Sequence, residues 1–208
     1  MNIAHPIASV ISGVPGAIIE ILARTERPLT GGQIAELAAP QASRAGVTKA
    51  LVPLVQSGLV EYETVGRANL YRLNRAHLAA DAIIALANLR TALCDRISEA
   101  IGRWSIKPVG VWLFGSAARG DGGVDSDIDL LVVRSERVKS DDPRWAEQVL
   151  SLAADVRSWT GNHCEILDLT PSEVRRMSIK NDPLIASLRR DAHVLTGTAL
   201  TPLLNKGR

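Results

Sequence analysis

Residues 115–130 read GSAARGDGGVDSDIDL, a turn of small residues that leads, ten residues later, to two carboxylates separated by one apolar residue. Apolar runs at 109–114 and 130–133 flank this stretch and predict two buried strands. The turn and the carboxylates should therefore lie at neighbouring strand ends. Because side chains two apart on a strand share a face, Asp127 and Asp129 are expected about 7 Å apart, with Ile128 in the core.

Two carboxylates held this close require a cation. A hard divalent ion with oxygen ligands, Mg²⁺ first and Mn²⁺ as the alternative, would relieve the repulsion and bridge the phosphate oxygens of a nucleotide. Glycine and serine at the turn would let the backbone approach a polyphosphate, and an arginine follows one helical turn later. A solvated Asp-rich strand start behind a tight turn is the competing interpretation, but all these features would then coincide by chance. The predicted nucleotide-binding residues are Gly115, Ser116, Arg119, Asp127 and Asp129.

At these residues the chain resembles the DNA polymerase β-like nucleotidyltransferase superfamily, whose pattern is hydrophobic-Gly-Ser, a spacer and Asp-hydrophobic-Asp. It is most similar to the minimal nucleotidyltransferases, including antitoxin-type members paired with HEPN proteins, and more distantly to aminoglycoside nucleotidyltransferases. The resemblance covers residues 100–197. It implies a Mg²⁺-dependent enzyme that transfers AMP from ATP, or the corresponding group of another nucleoside triphosphate, to an acceptor hydroxyl and releases pyrophosphate. No covalent enzyme intermediate is implied.

The same resemblance requires a third carboxylate on an adjacent strand, and the candidate segment reads HCEILDLT at residues 163–170. Alternation places Glu165 and Asp168 on opposite faces of that strand. Glu165 matches the family position, although similar proteins more often carry Asp there. The predicted catalytic and metal-binding set is therefore Asp127, Asp129 and Glu165, and Asp168 stays open as the alternative, with a strand-end or helix-capping role as its other interpretation. A glutamate at this position would help to deprotonate the acceptor hydroxyl.

The first 75 residues predict a second module. Three helical patterns, near 15–24, 30–38 and 43–57, precede two alternating segments around a glycine, at 58–63 and 68–73. This order resembles a winged helix-turn-helix of the MarR or ArsR type. In that case the third helix would enter a major groove and the hairpin would reach a minor groove or phosphate, which makes the candidate DNA-binding residues Ser43, Arg44, Thr48, Lys49 and Arg67. A protein-interaction module is the alternative, because residues 1–90 carry only eight Lys and Arg against six Asp and Glu.

Between the two modules, residues 76–104 form a long Ala- and Leu-rich stretch that predicts one helix. Such a helix would join the modules or pair with its copy in a homodimer, and packing on its own sheet is the alternative. The predicted organisation is α+β: a winged helix-turn-helix at 1–75, a linker or dimerisation helix at 76–104, a nucleotidyltransferase fold with a mixed sheet flanked by helices at 105–197, and a flexible tail at 198–208.

Composition limits the alternatives. The 208 residues are 46% hydrophobic but only 3% aromatic, so the cores must be built from Ala, Leu, Val and Ile. Two distant cysteines suggest no disulfide framework and favour a cytoplasmic protein, and no membrane span or signal peptide is recognisable. The net charge of +2 leaves nucleic-acid binding to a local patch.

Three functional hypotheses remain. The first is a nucleotidyltransferase that modifies a protein or nucleic-acid hydroxyl, in an antitoxin-like or regulatory setting, with a DNA-binding head. Its partners would be a nucleoside triphosphate, DNA, a toxin-like protein acceptor and a second copy of the chain, with no membrane. The second is a transcriptional regulator that senses a nucleotide without turnover. Antibiotic modification is the third, and it is disfavoured because it does not need a DNA-binding head.

Overall fold

The computed structural model describes residues 1–197 and 199–204, and these fall into two compact units. The N-terminal unit comprises Asn2 and Ala4–Arg90, and the C-terminal unit comprises Met1, Ile3 and Thr91–Arg208. No helix in the described part of the chain is long and apolar enough to cross a bilayer.

The N-terminal unit combines four α-helices with a small antiparallel sheet. After a 3-10 turn at Pro6–Ser9, its elements are α1 (Gly13–Ala23), β1 (Leu29–Thr30), α2 (Gly31–Leu37), α3 (Arg44–Gln56), β2 (Val60–Val65), β3 (Ala68–Leu73) and α4 (Ala80–Ala87). The strand order is β1-β3-β2, and both pairings are antiparallel. The three predicted helices and the predicted hairpin are thus present in the predicted order.

Local sequence explains where these elements begin. Thr30 and Gln33 form a capping box at the start of α2, and the Ser43 hydroxyl accepts a hydrogen bond from the Gly46 N–H at the start of α3. The hairpin turns at Gly66, whose φ of +62° is readily adopted only by glycine. The core of this unit is aliphatic and includes Ile18, Leu22, Ile34, Val47 and Leu51.

The prediction of a single helix over 76–104 was wrong. Two helices occupy this stretch, α4 and α5 (Leu89–Gly102), and Asn88 ends the first of them. Ile83 on α4 is buried in the N-terminal core, and Leu93, Ile97 and Ile101 on α5 are buried in the C-terminal core. These residues pack within their own units, and the pairing of this stretch with a second copy stays a prediction.

The C-terminal unit contains the predicted mixed sheet with helices on both faces. Beyond α5, its elements are β4 (Gly110–Phe114), α6 (Gly115–Arg119), β5 (Ile128–Val133), α7 (Pro143–Thr160), β6 (Cys164–Leu169), α8 (Pro171–Ile179), α9 (Pro183–Asp191), β7 (His193–Gly197) and α10 (Thr201–Leu204). The strand order is β6-β5-β4-β7. Strand β5 runs parallel to β6 and antiparallel to β4, and β7 is antiparallel to β4.

Strand β5 serves two apolar layers at once. Ile128, Leu130 and Val132 are buried with residues of α5 and α7 on one face of the sheet. Leu131 and Val133 are buried with residues of α8, α9 and α10 on the other face. Each fully buried aliphatic side chain of this kind contributes roughly 1.5–3 kcal/mol, so the register of β5 is strongly determined.

The predicted flexible tail at 198–208 was wrong for residues 199–204. Helix α10 lies there, and Leu200 and Leu204 are buried against Val174 and Leu188. These two leucines were too few and too close to the end of the chain to give a periodic signal. Thr198 and residues 205–208 lie outside the described part of the chain.

Candidate active site

The predicted carboxylates meet at one end of the C-terminal sheet. Asp129 on β5 is directly paired with Glu165 on parallel β6, and on its other side it is paired with Phe114, the last residue of β4. The end of β4 and the starts of β5 and β6 therefore share one edge of the sheet. Asp127 lies just before β5 instead of within it, and Ile128 between them is buried as expected.

The turn after β4 is fitted closely against Asp129. Gly115 has a φ of +68°, and a Cβ atom at this position would overlap the Oδ2 atom of Asp129. A side chain is therefore excluded both by backbone conformation and by space. The following residues, including Ser116 and Arg119, form α6, so the glycine, serine and arginine of the predicted site are brought to the same sheet edge as the carboxylates.

The acidic groups near Asp129 affect the protonation of its carboxyl. Burial is the main cause that raises the pKa of the Asp129 carboxyl above its usual range, and the negative charges of Glu165 and Asp127 raise it further. Arg119 acts in the opposite direction and lowers this pKa. The arrangement is thus a cluster of carboxylates with an incomplete positive counter-charge.

Asp168, the alternative third carboxylate, is engaged elsewhere. Its Oδ1 atom accepts a hydrogen bond from Arg134 Nη1 at 2.7 Å, and its Oδ2 atom accepts one from Trp145 Nε1 at 2.9 Å. Asp168 does lie near the end of its strand, as the next-to-last residue of β6, but it does not cap a helix, because Thr170 and Glu173 form the capping box of α8. Arg134 and Trp145 were not identified from the sequence, since nothing local indicates that they meet on Asp168.

A buried asparagine fixes the loop that carries Asp127. The Asn162 Nδ2 amide donates to the carbonyl oxygens of Val124 at 3.1 Å and Ser126 at 2.9 Å, and the Asn162 residue is only 4% exposed. The Ile128 N–H donates to the His163 carbonyl at 2.9 Å and ties the starts of β5 and β6 together. Asn162, like Arg134 and Trp145, was not identified from the sequence.

His163 and Cys164 lie next to the carboxylates but have little influence on the chemistry of the site. His163 Nδ1 lies 3.8 Å from Asp127 Oδ1, but both side chains are about half exposed, at 62% and 49%, so the pair is strongly screened. Burial, with the charges of Asp129 and Asp127, raises the pKa of the Cys164 thiol to about 12. Cys164 therefore stays protonated at neutral pH and is not a thiolate ligand or nucleophile.

No group of three or more His, Cys, Asp and Glu side chains in residues 1–197 and 199–204 is arranged to hold a metal ion by itself. The donor set at this edge is instead a small number of carboxylate oxygens. Mg²⁺ is commonly bound in this way, by one or two carboxylates together with water and substrate phosphates.

The predicted DNA-binding residues lie on exposed parts of the N-terminal unit. Arg44, Thr48, Lys49 and Arg67 are all exposed, on α3 and at the tip of the hairpin. The hydroxyl of Ser43 is used to cap α3, and that of Thr48 donates to the Arg44 carbonyl at 3.0 Å. The structure places Arg44 and Lys49 on α3, five residues apart, and Arg67 at the turn of the hairpin.

Comparison with known proteins finds one family similar to part of the C-terminal unit. Among solved structures, a chain described as "Crystal structure of the toxin-antitoxin with AMP-PNP" is 18% identical, covers 53% of this chain and 80% of that chain, and has a TM-score of 0.39. No curated protein matches the sequence significantly. Residues 94–183 match the family model described as "Nucleotidyltransferase domain", and this stretch includes β4, β5, β6 and the carboxylates between them. Residues 94–183 are therefore similar to nucleotidyltransferase domains, and this similarity supports a transferase of the nucleotidyl-transfer kind.

Proposed function

We propose that the C-terminal unit transfers a nucleotidyl group, AMP in the first place, from a nucleoside triphosphate to a hydroxyl of a protein or nucleic acid. The observation that carries this proposal is the pairing of Asp129 with Glu165 on adjacent strands, against the turn at Gly115. Nucleotidyl transfer depends mainly on positioning and on neutralising charge, and it needs carboxylates and phosphate donors more than a reactive nucleophile. The antitoxin-like or regulatory setting is part of the same proposal.

Asp127 and Asp129 would hold Mg²⁺, with Mn²⁺ as the alternative. The donor set fits a hard divalent cation because it consists of carboxylate oxygens, and because burial, together with the charges of Glu165 and Asp127, raises the pKa of the Asp129 carboxyl despite the opposing charge of Arg119. When bound, such an ion neutralises phosphate charge and makes an acceptor hydroxyl more acidic.

The protein groups have separate roles in this proposal. Backbone N–H groups at Gly115 and Ser116 and the guanidinium of Arg119 bind phosphate oxygens of the triphosphate. Glu165 accepts the proton of the acceptor hydroxyl, whose oxygen then attacks the α-phosphorus as pyrophosphate leaves. Asp168 has no part in the reaction, because both of its carboxylate oxygens are used by Arg134 and Trp145.

Transfer assays with α-labelled nucleotides and the native acceptor test this assignment. Asp127→Asn and Asp129→Asn should abolish transfer, and Glu165→Gln should lower the rate strongly with little loss of nucleotide binding. Asp168→Asn is the matched control, and folded Asp168→Asn protein should retain transfer. Unchanged transfer by Asp129→Asn would refute the site, and a larger loss for Asp168→Asn than for Glu165→Gln would refute the choice of Glu165.

We further propose that the N-terminal unit is a winged helix-turn-helix that binds DNA as part of a homodimer. Support comes from the order of α1, α2, α3 and the β2–β3 hairpin, and from exposed cations on α3 and at the hairpin turn. A further cation of the hairpin, Arg72, is already paired, because its Nη2 lies 3.0 Å from Glu61 Oε2 on the opposite strand. The weak basic excess of this unit leaves docking to a protein acceptor as the alternative.

Gel-shift titration on promoter and random DNA fragments at two salt concentrations tests DNA binding by the N-terminal unit. Arg44→Ala with Lys49→Ala should weaken binding, by about 1–3 kcal/mol for a base-directed side chain, while nucleotide transfer is retained. Light scattering on the same samples reports the oligomeric state. If DNA binding is absent, or is equally weak on both fragments, sequence-specific DNA binding is refuted, and docking to a protein acceptor remains as the function of the N-terminal unit.

A regulator that senses nucleotide without turnover is the second candidate function. The glutamate at 165, where similar proteins more often carry aspartate, is the observation that favours it. Pyrophosphate release distinguishes the two, because a sensor would bind Mg²⁺·ATP and release none even when the acceptor is present.

A further inference from the structure

Four side chains of alternating charge connect α6 with the end of α9. Arg119 Nη1 lies 3.0 Å from Asp191 Oδ2, and Arg119 Nε donates to Asp121 Oδ2 at 2.9 Å. Asp191 in turn accepts two hydrogen bonds from Arg190, from Nε to Oδ1 and from Nη2 to Oδ2, both at 2.8 Å. The predicted phosphate-binding arginine is therefore held by two carboxylates.

The two carboxylates hold Arg119 unequally. The Asp191 side chain is only 4% exposed and is fixed by a second arginine, whereas the Asp121 side chain is 59% exposed. Hydrogen bonds from Arg190, and then from Arg119, lower the pKa of the Asp191 carboxyl, so it is ionised at neutral pH. An exposed pair such as Arg119–Asp121 contributes little, whereas a buried, doubly bonded carboxylate determines where its partner lies.

This arrangement leaves one edge of the guanidinium uncommitted. Within residues 1–197 and 199–204, Nε and Nη1 of Arg119 have hydrogen-bond partners, and Nη2 has none. Arg119 is the last residue of α6, the short helix that begins at Gly115 in close contact with Asp129. A planar cation is thus fixed beside the acidic cluster with one amino group available for a phosphate oxygen.

We propose that Asp191 is a positioning residue of the nucleotide site and acts by fixing Arg119 where the triphosphate binds. This inference rests on the proposed function. It goes beyond the family match, which ends at residue 183, so nothing in that match assigns a role to the last residue of α9. Asp191 itself does not touch the substrate in this proposal.

Calorimetric titration of the full chain with ATP and Mg²⁺ tests this role. Arg119→Ala and Asp191→Asn should each weaken ATP binding about tenfold, which lies within the range of coupled neighbours, and the double variant should bind no more weakly than Arg119→Ala alone. Asp191→Glu keeps the charge and should bind more tightly than Asp191→Asn. Asp121→Asn is the matched control, and its affinity should stay within about threefold of wild type.

The outcomes separate the inference from the proposed function. If the wild-type chain does not bind ATP, both fall together. If Arg119→Ala weakens binding but Asp191→Asn binds like wild type, only the positioning role is refuted. If Asp191→Asn weakens binding equally in the wild-type and Arg119→Ala backgrounds, Asp191 acts through general folding, and the inference is again refuted. If Asp191→Asn does not fold, Arg190→Gln is the substitute, because Arg190 is exposed and its replacement removes the two hydrogen bonds that hold Asp191. Unchanged ATP affinity in Arg190→Gln would then overturn the proposal.

Discussion

Replacing Asp129 with Asn should make the nucleotide-free protein more stable. In the folded state this carboxylate is opposed by Glu165 on the adjacent strand and by Asp127 two residues earlier. Like charges directly opposite on neighbouring strands cost roughly 0.2–1 kcal/mol, so removing the Asp129–Glu165 repulsion should raise the free energy of unfolding by roughly that amount. The shape of the side chain is unchanged, and the attraction that Arg119 exerts on the carboxylate, which is also lost, offsets only part of the gain.

The pH dependence of this gain has a definite sign. The pKa of Asp129 is higher in the folded state than in the unfolded state, so wild-type protein loses stability as the pH rises through the interval between the two values. The advantage of Asp129→Asn should therefore be complete at neutral pH. It should disappear once the pH falls below the unfolded pKa of about 3.9, where the wild-type carboxyl is uncharged in both states.

Urea unfolding followed by tryptophan fluorescence measures the effect. All four tryptophans, at positions 104, 112, 145 and 159, lie in the C-terminal unit, so the signal reports on the unit that contains Asp129. In EDTA the midpoint of Asp129→Asn should rise by a few tenths of a molar. Mg²⁺·ATP at a hundred times its Kd should stabilise wild type by about 2.7 kcal/mol and the variant far less, which reverses the order of stability.

Asp168→Asn is the control: it makes the same chemical change, but it should lower the free energy of unfolding instead of raising it. It weakens hydrogen bonds to Arg134 and Trp145 and should lower the free energy of unfolding by about 1–3 kcal/mol. A lower midpoint for Asp129→Asn in EDTA would refute the repulsion argument. A normal response of Asp129→Asn to Mg²⁺·ATP would refute the assignment of the site.

Three further predictions concern other parts of the molecule. Gly115→Ala should cost at least about 1 kcal/mol of stability and most of the nucleotide affinity, because of the positive φ and the overlap with Asp129; wild-type thermal melting and ATP titration curves would contradict this. Cys164 should react with iodoacetamide only as fast as the protein unfolds, since its thiol is buried and its pKa is raised to about 12; faster labelling, located by mass spectrometry, would show that the strand start opens locally. Arg67→Ala should reduce the salt dependence of DNA binding by about one unit of log-log slope, and Arg72→Ala by less because Glu61 already neutralises it; equal slopes would argue against the wing contact.

Much of the C-terminal site could be predicted because its signals are local. The Gly-Ser turn, the Asp-Ile-Asp spacing and the apolar runs on either side specify two strands and a shared edge within about 25 residues of sequence. The opposite faces of Glu165 and Asp168 followed from strand alternation alone. The structure adds the reason for the difference between them, which is the engagement of Asp168 by residues from other elements.

The features that could not be predicted depend on contacts between distant parts of the chain. Asn162 and Asp191 carry no motif, and their importance appears only when β6 and α9 are placed beside the site. The break at Asn88 was missed because apolar spacing continues through it while the two helices pack into different cores. Periodicity reports that a residue is buried, but not which core receives it.

The alternation of β5 between two apolar layers makes Asp129 important for the register of this strand, independently of the proposed reaction. A slip of one residue would turn this charge into the layer formed with α5 and α7, where Leu130 and Val132 now lie, and would push Leu131 and Val133 out of theirs. Placing an unpaired charge in such a layer costs several kcal/mol, far more than the repulsion it suffers in the native register. The acid that weakens the native state thus weakens its nearest misfolded competitor more, and a variant that gains stability by losing this charge should also lose part of the barrier against mispaired strands.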